Sequence, residues 1–416
     1  MRMVEDPRSP RAKKHDLAEV LVCLIAGYVT HHTSLHRVRA WGCRHINWLR
    51  KCGMKLKNGI ASVPTISRLL SNMDYYLFLY AFMEWVGEIL NAHGHHITID
   101  GKALRGALSK VEGGPTPILL NALDAATGLV LAQLPIDNKD CEITEIPQLL
   151  KLLNIRGKIV TVDAIGTQTN IMQQIIDQDG HFVMTVKKNQ PNSYDELVKL
   201  FAELEADARH KSEGKIGFKH YDLLDKYDSY STSEKNRDRN EIRICQVCSD
   251  PSYVTKTQKE WTFLSTIGVC KQLRILRVRD TDGNDVTPDK KEFLQTGSVR
   301  QPRPVGGDQT TADYQIVGMV SDLPLSAKEM AQYKRSHWCI ENTLHHALDD
   351  SFREDRSPAK KSRNNLALIR KFAYNILRLV SVQMKIHRPN TELMDLLCDD
   401  PILLRNYIFR EISPLS

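Results

Sequence analysis

The stretch Lys158–Ala164, whose sequence is KIVTVDA, decides the fold of this chain. Its apolar run predicts a short buried strand that ends at Asp163. A helical pattern follows over Gln168–Gln178, and a second apolar strand follows over His181–Lys187. Because a strand, a helix and a strand in succession normally form a right-handed parallel crossover, the stretch predicts an α/β fold.

Three more strands are predicted upstream, at His96–Asp100, Ile118–Asp124 and Leu129–Pro135. The residues Ala125–Gly128 between the last two have the composition of a hairpin turn, with a glycine for positive φ. A helix is predicted over Glu142–Leu153. The order β-β-β-α-β-α-β therefore predicts a mixed five-stranded sheet with flanking helices, in which the first and fourth strands are plausible neighbours.

Three acidic residues stand where catalytic ligands are expected. Asp100 and Asp163 each end a predicted strand, and open α/β folds build their sites at the rim of the sheet. Glu341 lies at the border of the apolar face of a later helix. If the three converge, they supply oxygen ligands for one or two Mg²⁺ ions in a phosphodiester enzyme. Taken alone, each aspartate is more simply interpreted as a turn residue.

The remaining chain divides into regions of different pattern. An N-terminal helical region is compatible with a DNA-binding helix-turn-helix and equally with a plain helical bundle. A long charged stretch with several β-like segments is interpreted as an inserted, mainly β subdomain, because it is too long for a loop. Helical pattern then resumes, followed by an uninterpreted tail. The predicted boundaries are 1–92 (N-terminal helical domain), 93–190 (first part of the catalytic core), 191–325 (insertion), 326–385 (C-terminal helices of the core) and 386–416 (tail).

The helix that carries Glu341 has a clear start. Ser326 and Glu329 have the spacing of a capping box. Along this helix, His337, Glu341 and His345 are spaced four apart, which is an alternative pattern for a zinc site. That alternative leaves Asp100 and Asp163 unexplained.

Basic residues accompany each acidic position. Lys102 and Arg105 follow Asp100, and Lys187 and Lys188 end the strand after Asp163; all four are candidates to meet phosphates. A run of basic residues that includes Arg356 follows Glu341 and favours DNA contact. The alternative in each case is an ordinary solvated turn or helix face.

Composition is compatible with a nucleic-acid partner without requiring one. Lys and Arg exceed Asp and Glu by seven, and the sequence pI is about 8.8. We find neither a long apolar run nor a secretory signal, and the nine cysteines do not have the spacing of a disulfide framework. We therefore expect a cytoplasmic protein with free thiols. Cys245 and Cys248 have the spacing of a zinc-binding cysteine pair, but no second pair completes such a site. We therefore interpret them as small apolar residues of a strand.

These motifs resemble those of a known group. The stretches IDGKALRG (99–106), IVTVDA (159–164) and RSHWCIEN (335–342), with Leu344-His345 and Glu354-Asp355-Arg356, are similar to those of H-repeat-associated insertion-sequence transposases of the DDE class. The resemblance implies a ribonuclease-H-like core interrupted by a β-strand insertion before the last glutamate. It covers nearly the whole chain, including the N-terminal helical region.

The resemblance also implies an activity and its residues. Asp100, Asp163 and Glu341 would be catalytic metal ligands for Mg²⁺, with Mn²⁺ as an alternative ion. The reaction would be cleavage at the ends of an insertion element, followed by strand transfer into target DNA. The partners would be double-stranded DNA and a second copy of the chain in a synaptic complex. Tyr333 and Arg335 are the candidates for the Tyr and Arg that related enzymes often carry before the glutamate, where they would contact DNA. Arg239, Glu241 and Arg243 are similar to the family's Arg-x-Glu-x-Arg signature, which implies no particular role. Apart from the resemblance, His337 is a candidate to support Glu341 or to contact a phosphate.

Two other functions stay open from the sequence. One is a ribonuclease-H-like nuclease that cuts without joining. The other is a decayed DNA-binding protein that keeps its basic surfaces without catalytic turnover. Leu348 stands seven residues after Glu341, where related enzymes often carry a basic residue.

Overall fold

The chain folds into two compact units in a computed structural model. The first unit comprises residues 1–158 and 337–416, and the second comprises residues 159–336. Within the described residues, no helix is long and apolar enough to cross a membrane. The structure describes residues 4–9, 11, 13–90, 94–105, 116–138, 141–236, 239–255, 260–276, 312–357 and 359–409.

Five helices open the first unit. Polar side chains cap three of their starts: Asp16, Ser34 and Ser62 each accept a hydrogen bond from a backbone N–H in the first turn, as N-cap residues do. Most of α1 is buried, which fits its nearly continuous apolar sequence. The helices are α1 (Leu17–Val29), α2 (Leu35–Arg44), α3 (Ile46–Lys51), α4 (Val63–Asn72) and α5 (Tyr75–Leu90).

Three antiparallel strands follow, β1 (His96–Ala103), β2 (Ile118–Asp124) and β3 (Val130–Ile136). Every residue of β2 is buried, as expected for the central strand of the three. The turn between β2 and β3 contains Gly128 at φ 74°, a conformation that glycine adopts without strain. Helix α6 (Glu142–Leu152) completes this part of the unit.

The C-terminal part of the first unit is helical. It begins with a π-helix (Ile340–His345) and the short α12 (His346–Asp350), and a 3₁₀ turn follows at Glu354–Arg356. Helix α13 (Arg363–Gln383) is almost entirely buried. Helices α14 (Asn390–Asp399) and α15 (Pro401–Phe409) end the described chain.

Helix α13 is the central element of this unit. It packs against α1 and α5, and the rings of Phe372 and Phe78 stack with centroids 5.5 Å apart. The amide of Asn375 bonds both backbone groups of Val130 in β3, at 2.9 Å each. Each large apolar side chain buried in this way contributes about 1.5–3 kcal/mol. The N-terminal helices and β3 are therefore held by the same C-terminal helix.

The second unit is a mixed sheet with helices. Strands β4 (Ile159–Val162) and β5 (His181–Val186) pair in parallel, and α7 (Thr169–Asp177) connects them. The remaining pairings are antiparallel, and the hydrogen-bonded order in this unit is β4-β5-β9-β8-β7-β6. The later strands are β6 (Tyr227–Asn236), β7 (Arg239–Cys248), β8 (Thr266–Leu276) and β9 (Ala312–Ser321).

The helices of the second unit have very different lengths. Helix α8 (Pro191–Ser212) has 22 residues, whereas α9 (Tyr221–Leu224) and α10 (Ser252–Thr255) are single turns. Helix α11 (Ala327–His337) begins at the predicted capping box. There the Glu329 carboxylate accepts from the Ser326 backbone N–H at 2.9 Å, and Ser326 Oγ accepts from the Glu329 N–H at 3.3 Å.

The predicted α/β class and its element order are confirmed, and the sheet is mixed. β1 lies in the first unit and β4 in the second, so their expected pairing stays a prediction. The predicted insertion carries strands β6 to β9, and it opens with the long helix α8, which was not predicted. Two separate strands predicted within it were wrong. The segments 262–269 and 272–278 belong largely to one strand, β8. The tail after residue 385 forms two helices.

Candidate active site

Asp100 lies within strand β1, which continues to Ala103 and does not end at Asp100 as predicted. The preceding residues Ile97 and Ile99 are buried, and the Asp100 carboxylate is 19% exposed. Its Oδ2 lies 3.5 Å from Nδ1 of His345. The carboxylate is thus held against the π-helix while part of it reaches solvent.

His345 is a neutral neighbour for that carboxylate. Burial, together with the positive charges of Lys102 and Lys371, lowers the pKa of His345 from 6.5 to about 3. Its Nε2 is buried without a hydrogen-bond partner among the described residues. The contact with Asp100 is therefore between a carboxylate and an uncharged imidazole at neutral pH.

Glu341 lies on the π-helix, and its side chain is exposed. β1 contacts this π-helix, so the elements that carry Asp100 and Glu341 touch within one compact unit. π-helical turns are uncommon and frequently occur at functional sites.

Asp163 follows β4 in the second unit and precedes a 3₁₀ turn over Ala164–Gly166. Lys187 Nζ donates to its Oδ1 at 2.7 Å. Both side chains are close to half exposed, at 45% and 44%. The pair forms because β4 and β5 run in parallel, so that residues after the two strands meet at the same sheet edge. Asn189 secures that edge by donating to the Ala164 carbonyl at 3.0 Å.

Lys334 is a charged neighbour of Asp163 that the sequence did not single out. Burial lowers the pKa of Lys334, and the positive charge of Lys187 lowers it further. Asp163 and the thiols of Cys270 and Cys245 act in the opposite direction. The only signal in the sequence was its position between Tyr333 and Arg335.

The arginine and glutamate signature of the insertion forms an ion-pair network in the second unit. Glu241 is buried and bonds the guanidinium of Arg243, which also donates to Glu234 at 3.1 Å. Arg335 donates to the same Glu234 at 3.1 Å. The signature therefore supports α11 beside Tyr333 and Lys334. The side chain of Arg239 lies outside the described residues.

The other predicted DNA contacts differ in accessibility. Arg105, Lys188 and Arg356 are exposed. Tyr333 packs partly against the apolar cluster of the second unit, and His337 is buried in the first. Lys102 is 5% exposed, and its ammonium lies 2.6 Å from Asp349, so it is not presented to a solvent-borne phosphate.

The donor set suits a hard divalent cation. Asp100, Asp163 and Glu341 offer carboxylate oxygens, the ligands that Mg²⁺ prefers, and Asp163 already binds a cation in the form of the Lys187 ammonium. Within the described part of the chain, no group of three His, Cys, Asp or Glu residues is arranged to hold one ion. The sharing of an ion by the three acids thus stays a prediction. The zinc alternative is disfavoured because His337 is buried whereas Glu341 is exposed.

Known proteins resemble this chain along most of its length. A family profile described as "Transposase DDE domain" matches residues 118–376, and a second, "DDE_Tnp_1-associated", matches residues 1–86. The H repeat-associated putative transposase YhhI of Escherichia coli K12 is 30% identical over 380 residues, covering 90% of this chain and 88% of that protein.

Two further comparisons extend this result. The putative transposase YncI of Escherichia coli O157:H7 is 28% identical over 382 residues, covering 90% of this chain and 85% of that protein. A solved piggyBac transposase, in a synaptic complex with hairpin DNA, aligns with a TM-score of 0.39 and 11% identity. That alignment covers 97% of this chain and 75% of the other, but the score is too low to establish a shared fold.

Proposed function

The chain belongs to the family of transposases with a DDE domain, and on that premise we propose that it cleaves DNA at the ends of an insertion element and joins them to target DNA. One structural observation carries the proposal. β1, which bears Asp100, contacts the π-helix that bears Glu341 within a single compact unit. Two of the three acids named from the sequence thus lie on touching elements.

The three carboxylates have different surroundings, and each is suited to act as a metal ligand. Asp100 is oriented beside a neutral imidazole, Glu341 is exposed, and Asp163 is engaged by an ammonium group. Asp163 joins the set through its sequence motif. Mg²⁺ or Mn²⁺, when bound, would activate the attacking oxygen and stabilise the leaving oxygen of the phosphodiester.

The chain's own cations would hold the DNA backbone. Lys187 is close to half exposed, so its ammonium can exchange the Asp163 carboxylate for a phosphate with little desolvation cost. Arg105, Lys188 and Arg356 are exposed and suited to the same duty. Tyr333 and Arg335 remain proposed contacts on their motif positions alone. Lys102 and His337 are left out because both are buried.

The N-terminal helices offer a second basic surface. No Asp or Glu occurs between residues 20 and 73, whereas eight Lys or Arg do. On α2, the exposed guanidinium groups of Arg37, Arg39 and Arg44 have no hydrogen bond or ion pair among the described residues. Such unpaired cations are suited to phosphate contact, which favours the DNA-binding interpretation of this region over the plain bundle.

Two copies of the chain would act together, because an element has two ends that must be brought to one target. A homodimer in a synaptic complex is the simplest assembly that meets this need. We propose it from the reaction, together with double-stranded DNA as the partner.

A strand-transfer assay tests the catalytic proposal. Pre-nicked end-like duplexes, target DNA and Mg²⁺ are incubated with the wild type, with Asp163→Asn and with the exposed control Asp225→Asn. We expect joined product from the wild type and the control, and none from Asp163→Asn. Cleavage without joining would instead identify a nuclease. Equal products from all three proteins would remove Asp163 from the site.

A binding titration tests the N-terminal surface. The double variant Arg37→Gln/Arg44→Gln is compared with Lys199→Gln/Lys211→Gln, a matched charge loss on α8. If both arginines contact phosphates, the slope of log affinity against log salt should fall in magnitude by about 2, at roughly 0.9 per contact. The α8 variant should keep the wild-type slope. Identical slopes in both variants would contradict contact through α2.

A further inference from the structure

A cluster of charged residues surrounds the buried Lys102, which follows Asp100 by two residues on β1 in the first unit. Lys102 Nζ is 2.6 Å from Asp349 Oδ1, 3.5 Å from Asp355 Oδ1 and 3.8 Å from Glu354 Oε2. Glu354 Oε1 in turn lies 3.7 Å from Arg370 Nη1. We call these five residues the Lys102 cluster. None of them is used by the proposed chemistry.

The cluster is built for fixed geometry rather than for solvent contact. Lys102, Glu354 and Arg370 are each at least 95% buried. The guanidinium of Arg370 also lies 5.5 Å from the centre of the Tyr28 ring. Buried ions of this kind are stable only while their partners stay in place. A shift of any member would leave another charge buried and unpaired, so the cluster resists displacement.

The Lys102 cluster links chain segments that carry or follow two of the proposed metal ligands. Lys102 is two residues after Asp100 on β1, and alternate residues of a strand share a face. Its partners Asp349, Glu354 and Asp355 all follow Glu341 within one stretch of chain. The cluster therefore connects β1, which carries Asp100, to the segment of chain that follows Glu341.

We propose that Lys102 is a positioning residue that fixes Asp100 relative to Glu341, so that the two carboxylates bind one divalent cation. This inference rests on the proposed function, since it presupposes that these acids are ligands. Lys102 acts through the carboxylates of its cluster and touches neither DNA nor the cation. Its role differs from the phosphate contact predicted by its place in the sequence.

Metal binding by the full-length chain tests the proposal without requiring turnover. Mn²⁺ binding is measured by electron paramagnetic resonance for the wild type, Lys102→Met, Lys102→Arg and Asp349→Asn. The matched control is Asp250→Asn, which breaks a Lys226–Asp250 pair of the same 2.6 Å length in the second unit. DNA affinity is measured in parallel without metal.

We expect Lys102→Met and Asp349→Asn to weaken Mn²⁺ binding about 10-fold or more, the range for residues that orient metal ligands. Lys102→Arg should recover part of the loss, and Asp250→Asn should match the wild type. Metal-free DNA affinity should be unchanged in all four. The Asp349 variant guards against misfolding, because Asp349 is 43% exposed and its loss leaves Lys102 with two carboxylates.

Two results would overturn the proposal. The first is reduced DNA affinity with unchanged Mn²⁺ binding in Lys102→Met, which would make Lys102 a phosphate contact. The second is Asp349→Asn behaving like Asp250→Asn. A further variant, Asp100→Asn, separates this inference from the proposed function. If it abolishes Mn²⁺ binding while the wild type shows no strand transfer, only the transposase activity fails. If it leaves Mn²⁺ binding intact, the positioning role fails.

Discussion

The surroundings of Asp100 and Asp163 differ although both aspartates follow buried strand residues and both have a lysine nearby. Two residues after Asp100 on β1, Lys102 is buried among three carboxylates. Beside Asp163, Lys187 forms a single ion pair in which both side chains are close to half exposed. A buried lysine with several partners fixes geometry, whereas an exposed lysine with one partner can exchange it. The comparison separates a positioning cation from one that can contact substrate.

The largest effect should follow removal of the buried lysine. Lys102→Met leaves three carboxylates close together with one cation fewer, and we expect a loss of about 3–5 kcal/mol in unfolding free energy. Urea denaturation followed by circular dichroism measures it. A loss below about 1 kcal/mol would mean that Lys102 contributes no more to stability than an exposed lysine such as Lys187, and the contrast between a positioning and an exchangeable lysine would fail.

The next effect should be on catalysis and should be equal at the two aspartates. Asp100→Asn and Asp163→Asn should each reduce end cleavage by at least about 10²–10³-fold, the range for losing one group that stabilises transition-state charge. Single-turnover cleavage of a labelled end duplex measures the rates. A large effect at only one aspartate would mean that the two do not serve one reaction.

A smaller effect should appear in the pH dependence of stability. Because His345 is kept neutral with a pKa of about 3, the unfolded chain binds its proton first as the pH falls below 6.5. Its stabilising contribution is complete above pH 6.5 and is lost on acidification, by at most about 1.4 kcal/mol per pH unit.

The variant His345→Asn isolates this contribution. Between about pH 7.5 and about pH 5.5, its unfolding free energy should fall by about 1 kcal/mol less than that of the wild type. Burial also lowers the pKa of His96, to about 4, and this residue acts in the same direction in both proteins. Parallel pH curves would show that His345 is not buried against Asp100 as described.

The smallest effect should be on stability at the exposed pair. Lys187→Met should change the unfolding free energy by less than about 1 kcal/mol, because solvent screens a pair of this exposure. The same variant should weaken DNA binding. A large loss of stability, or DNA affinity equal to that of the wild type, would contradict the assignment of Lys187 as an exchangeable cation.

Elements with a strong local signal were predictable from the sequence. Strand β2 was predicted over the residues it occupies, because it is apolar throughout and a glycine-containing turn follows it. The capping box at Ser326 and Glu329 set the start of α11. Asp100, Asp163 and Glu341 could be named because each stands at a characteristic place in a local pattern.

Features that depend on tertiary contacts were missed. Helix α8 was not predicted because its many charges hide its apolar face, which only packing against β8 and β9 reveals. Strand β8 was divided in two around Cys270 and Lys271, yet Lys271 is buried because it pairs with Glu205 on α8. The partners of Lys102 lie about 250 residues away, so no local pattern indicates that this lysine is buried.

The π-helix at Ile340–His345 sets a limit on sequence change. It accommodates one more residue per turn than an α-helix would. Because that turn already takes up the extra residue, deleting one residue there would restore regular α-helical winding and leave the flanking turns close to their present orientation. Asp349 would therefore stay near Lys102, whereas the side chains of the turn itself, including Glu341, would be redistributed around the axis. The length of this turn is thus tied to the placing of Glu341 rather than to the packing of the Lys102 cluster.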